Sequence, residues 1–151
     1  MRSAFSLVEL MIVVSILGIL AAIVLPELQA HSQQAKEAAV KDTLRVVREA
    51  IERYAIDHNG VPPGYENNNQ ELSMSGIRFY IQMAQKKTYL TKMPVNPFNN
   101  EWNVYIVQSN NKESLPSSNV GNYGWIYQPS TKTFKINWFE VDSTGQIFFD
   151  Y

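Results

Sequence analysis

Hydrophobic positions are almost continuous over the first part of the chain and become periodic after it. Between Phe5 and Leu25 the interruptions are Ser6, Glu9, Ser15 and Gly18. An α-helix of this length rises ~30 Å at ~1.5 Å per residue, which matches the hydrocarbon core of a bilayer. The pattern therefore predicts a transmembrane helix near the start of the chain.

A secretory signal peptide is the alternative explanation of this apolar run. Such peptides combine a basic start, an apolar core of roughly 7–15 residues and a small-residue cleavage site. Here the run is longer, and Ala21-Ala22 is followed by further apolar residues rather than by a polar mature sequence. The retained helix is therefore favoured. The α-amine and Arg2 ahead of it predict a cytoplasmic N-terminus, with the rest of the chain outside the inner membrane.

A second, amphipathic helical pattern covers residues 27–59. Its apolar positions recur at spacings of four and three and form one stripe, made of Val40, Leu44, Val47, Ile51 and Tyr54. Pro26 removes one backbone hydrogen bond without ending the helix, whereas Asn59-Gly60 is a stop signal. We expect one long helix whose stripe packs on a small sheet of the same chain; a coiled-coil dimer is the alternative.

The second half of the chain predicts a short helix and several strands. The helix is expected over 71–86, between a polar loop at 64–70 and an extended connector at 88–97, with an inward face made of Ile77, Tyr80, Ile81 and Ala84. Strands are expected over 102–107, 123–127, 133–138 and 146–149, with a hairpin turn at 128–132. The fold class is therefore α+β: a long N-terminal helix packed on a small antiparallel β-sheet.

Composition and charge exclude several function classes. The net charge of -1 and the pI of about 6.1 leave no basic stripe for nucleic acid. Without cysteine the chain has no disulfide and no thiolate chemistry. His31 and His58 would lie ~40 Å apart on one helix, so they cannot share a metal ion. With no nucleophile–base pair and no glycine-rich phosphate loop, we expect a protein that is not an enzyme.

Glu9 is a costly residue for a membrane helix. A charged side chain well inside a bilayer costs roughly 2.5–3.5 kcal/mol on insertion scales, and less where it reaches the headgroups from the end of the span. One interpretation is such a helix-end carboxylate. The other is that Glu9 meets a cation in a neighbouring apolar segment, because an intramembrane carboxylate is by default a hypothesis about a partner.

The stretch Ala4-Phe5-Ser6-Leu7-Val8-Glu9-Leu10-Met11-Ile12-Val13-Val14 resembles the type III signal of type IV pilins and type II secretion pseudopilins. The resemblance implies a leader over 1–4, cleavage by a prepilin peptidase after Ala4, N-methylation of Phe5, and Glu9 as the fifth mature residue. It also implies that Glu9 neutralises the methylated amine of an adjacent subunit and that Pro26 loosens the helix. Alanine stands before the cut where the family usually has glycine.

Other segments resemble the major pseudopilins. Residues 54–62 are similar to the end of their long helix, 89–98 to the connector ahead of their sheet, and 124–127 to their hairpin. The lack of cysteine fits a pseudopilin better than those type IV pilins that close a C-terminal loop with a disulfide. The implied domains are a leader (1–4), a transmembrane and filament-core helix (5–25), its amphipathic half (26–59) and a globular head (60–151).

The function implied by this resemblance is a structural subunit of a type II secretion pseudopilus. It would polymerise with itself through its N-terminal helix, with an inner-membrane assembly platform and minor pseudopilins as further partners. It would begin as a single-pass inner-membrane protein and end in a periplasmic or extracellular filament. A type IV pilin of a surface pilus shares the same first 30 residues, and a non-polymerising single-pass protein is the third alternative.

The resemblance also implies a calcium site, since major pseudopilins commonly bind calcium near their last strands. The candidates are Asp142 and Asp150, with Glu140, Ser143 and Thr144 nearby. Calcium takes six to eight oxygens at about 2.3–2.6 Å. The alternative is that residues 142–145 form a simple turn, because aspartate and glycine suit turns.

Overall fold

A computed structural model describes residues 6–108 and 115–151 of the chain. The chain divides into two compact units, Met1–Ala35 and Lys36–Tyr151. One long helix, α1 (Leu7–Asp57), contributes to both. The leader and the predicted cleavage point at Ala4 and Phe5 lie outside the described residues.

From Leu10 to Leu25, α1 presents apolar residues on every side, interrupted by Ser15 and Gly18. Its large hydrophobic side chains from Leu7 to Leu28 are each more than half exposed. The Ser15 hydroxyl donates to the carbonyl of Met11 at 2.8 Å, so this polar group is satisfied within the helix. The helix continues through Pro26, as predicted. By length and composition this segment is able to cross a membrane.

In the second unit, the predicted stripe of α1 is confirmed as the centre of the hydrophobic core. Its five residues are at most 2% exposed: Val40, Leu44, Val47, Ile51 and Tyr54. They pack with aromatic and aliphatic side chains of the head, among them Phe79, Met83, Trp125, Phe134 and Phe148. The stripe is therefore used within the chain, as expected, rather than in a coiled coil.

The helix ends at the predicted stop signal. Asn59 and Gly60 both have left-handed backbone angles (φ 55° and 85°), and the Gly60 amide donates to the carbonyl of Ala55 at 2.8 Å. This geometry closes the last turn of α1 and satisfies one of its terminal carbonyls.

The sheet is mixed rather than antiparallel. Among the described residues it has three strands in spatial order: β1 (Val104–Ile106), β2 (Trp125–Gln128) and β3 (Thr133–Ile136). β2 and β3 form the predicted antiparallel hairpin around a 3-10 turn at Pro129–Thr131, but β1 and β2 are parallel. The prediction of a purely antiparallel sheet was wrong because residues 107–124 are long enough for a crossover connection, which a parallel pair requires.

The second helix is shorter than predicted. α2 (Gly76–Tyr80) is continued by a π-helical turn at Ile81–Gln85. It starts at Gly76 because the Ser75 hydroxyl caps it by accepting from the Arg78 amide at 3.3 Å. Glycine is required at 76, since an added Cβ would lie 2.4 Å from the carbonyl oxygen of Val104.

The predicted inward face of this helix and the predicted last strand were both wrong in part. Phe79, Met83 and Ala84 are buried, whereas Ile77 is 73% exposed. The segment has apolar residues on two faces, and the larger Phe79 occupies the core. Residues 146–149 make one bridge, Val141 to Ile147, and then a 3-10 turn (Phe148–Asp150) that buries Phe148.

Alanine substitutions at two isoleucines of α1, one buried and one exposed, test the assignment of the core. We expect Ile51→Ala to lower the free energy of unfolding by about 2–5 kcal/mol, because Ile51 is fully buried and its loss leaves a cavity. Ile56→Ala is the matched control on the same helix, since Ile56 is 78% exposed; its effect should stay within about 0.5 kcal/mol. Denaturant unfolding of the full chain in detergent measures both, and equal losses would contradict the assignment of the stripe.

Candidate functional site

The residues predicted to carry function fall in separate parts of the chain. Glu9 and Pro26 lie in the unit Met1–Ala35, and Asp142 and Asp150 lie in the unit Lys36–Tyr151. Two local sites result: the first turn of α1 around Glu9, and the loop that contains Asp142.

Glu9 lies in the first turn of α1, where its carboxylate caps the helix. The backbone amide of Ser6 donates to Glu9 Oε2 at 3.0 Å. Ser6-Leu7-Val8-Glu9 has the serine-to-glutamate spacing of a capping box, in which the glutamate satisfies an amide that has no partner within the helix. The negative charge also lies at the favourable, N-terminal end of the helix dipole. Sequence reasoning missed this role, although the spacing was there to be read.

The surroundings of Glu9 are exposed and apolar. Leu10, Val13 and Leu17 are all more than half exposed on the following turns. Water does not favour an apolar surface of this extent on one helix, so it marks a segment covered by lipid or by other chains. A carboxylate within such a segment is able to bind a cation supplied by whatever covers it.

Asp142 is buried and its carboxylate is surrounded by hydrogen-bond donors. Oδ1 accepts from the Thr144 amide (2.7 Å), the Thr144 hydroxyl (2.7 Å) and the Gln146 amide (2.9 Å). Oδ2 accepts from the Tyr151 hydroxyl. The hydrogen bonds from Tyr151 and Thr144 lower the pKa of Asp142 below its usual range. Burial, followed by the hydrogen bond to Asp142, raises the pKa of Tyr151 above its ordinary value.

Two charged residues of α1 bind the head in this region, Glu37 at the loop itself and Arg48 beside it. Glu37 accepts from the Ser143 amide at 2.9 Å through Oε1 and from the Ser143 hydroxyl at 2.7 Å through Oε2. Arg48 donates to the carbonyl of Phe134 at 3.1 and 2.9 Å and to the main-chain oxygen of Tyr151 at 2.6 Å. Arg48 therefore binds main-chain oxygens of the head at two positions. We call the set Glu37, Arg48, Asp142, Ser143, Thr144 and Tyr151 the Asp142 clasp.

The spacing of Glu37 and Arg48 in the sequence gives an indication of the clasp. Glu37 lies three residues before Val40 and Arg48 lies four after Leu44, so both are in phase with the apolar stripe. A charge in phase with a buried stripe has to find a polar partner, because burying it unpaired is costly. Their partners are up to 106 positions away along the chain, so no local pattern names them.

The histidines form no metal site. His31 lies 3.9 Å from Glu27 at the surface, whereas His58 stacks on Tyr54 with ring centroids 3.9 Å apart. His58 is therefore half-buried rather than a simple surface residue. Within residues 6–108 and 115–151, no three His, Asp or Glu side chains come together in a way that could hold a metal ion.

Comparisons with known proteins agree with this architecture. Residues 1–25 match the prokaryotic N-terminal methylation motif. The chain is 32% identical over 101 residues to type II secretion system core protein G of Pseudomonas aeruginosa, covering 67% of this chain and 71% of that protein. It is 26% identical over 102 residues to the protein of the same name in Escherichia coli, covering 67% and 70%.

A fimbrial relative matches over a smaller part. Fimbrial protein EcpB of Eikenella corrodens is 37% identical over 82 residues, covering 50% of this chain and 51% of that protein. No solved structure matches the chain at a comparable level of significance. The broader cover by secretion proteins does not favour the type IV pilin alternative.

The identity and coverage of the match to the Pseudomonas protein establish the family of this chain. The Pseudomonas relative is more than 30% identical and is covered over more than two thirds of its length. The methylation motif and the exposed apolar helix indicate a membrane-anchored protein. The chain therefore belongs to the family of type II secretion system core protein G, the major pseudopilins, and is a structural subunit of the pseudopilus.

Proposed function

We propose that this pseudopilin polymerises through a Glu9-dependent contact after cleavage behind Ala4 and methylation of Phe5. The precursor is a single-pass inner-membrane protein with its N-terminus in the cytoplasm and its head outside. A prepilin peptidase removes 1–4, and the mature chain joins a helical homopolymer that contains minor pseudopilins and grows from an inner-membrane assembly platform. Adding subunits at the base then pushes exported protein outward.

The observation that carries this proposal is a carboxylate set among large apolar side chains that are exposed in the described part of the chain. Each large hydrophobic side chain from Leu7 to Leu28 is more than half exposed, so lipid covers this surface before assembly and neighbouring subunits cover it afterwards. In the filament, apolar contacts between copies replace lipid. The domain boundaries we propose are the leader 1–4, the filament-core helix 5–25, the amphipathic half 26–59 and the head 60–151.

Glu9 gives this contact its register. Its carboxylate accepts the amide of Ser6, the residue that follows the new N-terminal Phe5, so it is held at the end of the helix where cleavage creates an amine. In an apolar environment, removing one partner of a buried ion pair leaves the other uncompensated, at roughly 3–5 kcal/mol. Subunits whose carboxylate meets a neighbour's amine are therefore favoured over shifted arrangements.

Pro26 weakens the backbone hydrogen bonding of α1 at one point. It lies inside α1 at the end of the proposed filament-core segment and cannot donate a backbone hydrogen bond to the preceding turn. The helix is therefore easier to bend or unwind there than at other positions, which allows the apolar segment to adapt as it passes from lipid to filament.

The charge of Glu9 is separable from its capping role by substitution. Glu9→Gln retains an oxygen that accepts the Ser6 amide but removes the charge, whereas Glu9→Ala removes both. We expect both variants to insert into the membrane and neither to form filaments or support export. Glu27→Ala, which removes an exposed carboxylate of the same helix, should assemble normally. Electron microscopy of sheared filaments and assays of exported protein provide the measurements.

The outcomes of this series are distinct. Normal filaments from Glu9→Ala would remove Glu9 from assembly altogether. Normal filaments from Glu9→Gln, with none from Glu9→Ala, would assign Glu9 to helix capping and contradict the ion pair.

Processing has its own test at the N-terminus. We expect mass spectrometry of the mature protein to find Phe5 as the first residue with one added methyl group. Ala4→Gly, which restores the glycine usual in the family, should be processed at least as completely. A mature chain that still begins at Met1 would contradict the cleavage step and favour a non-polymerising membrane protein.

A further inference from the structure

The loop at Asp142 does not fit the calcium ion that the family resemblance implies. Calcium is bound by six to eight oxygens that turn their lone pairs toward it. Here Oδ1 of Asp142 faces two backbone amides, those of Thr144 and Gln146, and Oδ2 faces the Tyr151 hydroxyl. These donors direct hydrogens, which carry partial positive charge, into the space where a cation would bind.

The other calcium candidate does not complete a site. Asp150 is exposed in the 3-10 turn Phe148–Asp150, and within the described residues no three carboxylate or imidazole side chains converge. Gly145, with φ 88°, donates its amide to the carbonyl of Asp142 at 3.1 Å. That contact forms the tight turn which the sequence allowed as the alternative to a metal loop.

Protein groups supply the cross-links that a bound ion would otherwise provide. Glu37 of α1 accepts hydrogen bonds from Ser143, and Asp142 accepts a hydrogen bond from the hydroxyl of Tyr151. Arg48 donates to the main-chain oxygen of Tyr151, and Nζ of Lys41 lies 4.5 Å from the centre of the Tyr151 ring. The loop is thus tied to α1 and to residue 151 at the same time.

The two carboxylates of the clasp are satisfied by hydrogen-bond donors of the chain itself. The two carboxylates, Glu37 and Asp142, are 7% and 6% exposed. Glu37 accepts two hydrogen bonds from Ser143, and Asp142 accepts four, from Thr144, Gln146 and Tyr151. Buried carboxylates need such donors, and these two have them from the chain itself.

We propose that the Asp142 clasp replaces calcium in this pseudopilin, so that the head folds to full stability when calcium is removed. Tyr151 and Glu37 take the place of the ion, one from each side of the loop. This inference concerns the folding of the head and does not depend on how the subunit assembles.

The first experiment compares thermal unfolding of the full chain in detergent with millimolar calcium chloride and with a calcium chelator. We expect the same Tm, within about 1 °C, in both. An ion bound at a hundredfold excess over its Kd would raise the Tm of a domain of this size by on the order of 10 °C. Isothermal titration with calcium chloride is expected to show no binding heat, and a saturable site or a calcium-dependent rise in Tm would overturn the proposal.

Variants then locate the interaction that takes the ion's place. Tyr151→Phe removes the hydroxyl that donates to Asp142 and keeps the ring. We expect the Tm of this variant to fall by several degrees, equally with calcium and with chelator. Asp142→Asn should lower the Tm in the same calcium-independent way, whereas the matched Asp150→Asn should not. A Tyr151→Phe protein with wild-type Tm would contradict the clasp, even if Asp142→Asn failed to fold. A calcium response lost in both aspartate variants would restore the metal site.

Discussion

The packing of the amphipathic half of α1 against the head is the interaction on which the second unit depends. The sheet has three short strands among the described residues, and its apolar face has to be buried against another element. Val40, Leu44 and Ile51 provide that partner, and α2, β2, β3 and the turn at Phe148 all place aromatic or aliphatic side chains against them. The helix is thus the core of the head as well as its anchor.

The same helix is built for a different environment in its first part. Up to Leu25 its side chains are apolar on every side and exposed. From Val40 onward most of its large apolar residues lie on one buried stripe, and Val46 and Ile56 lie outside it. This change of pattern is what a subunit requires if one segment is covered by lipid or by other copies while the next folds with its own head. Glu9 is the exception within the apolar segment, and its cost there is balanced by capping the helix and, in our proposal, by a neighbour's amine.

Features set by local rules could be predicted from the sequence, and features set by distant contacts could not. The stripe, the stop at Asn59-Gly60 and the β2–β3 hairpin follow from periodicity and turn chemistry, which act over a few residues. The parallel pairing of β1 with β2 depends on how a long connector is routed, and the buried face of α2 depends on which large side chain fits the core. Glu9 was singled out from its position alone, but its hydrogen bond to Ser6 was not anticipated.

The polar contacts of α1 have a consequence that the apolar stripe alone would not give. An apolar stripe tolerates sliding along a core by a turn, because one aliphatic side chain substitutes for another at moderate cost. Glu37, which is buried, and Arg48, which is half-buried, meet their donors or acceptors at one position of the head, so sliding the helix by a turn would break these hydrogen bonds. The stripe therefore supplies most of the driving force for docking, and the two charged residues fix the register at which the helix docks.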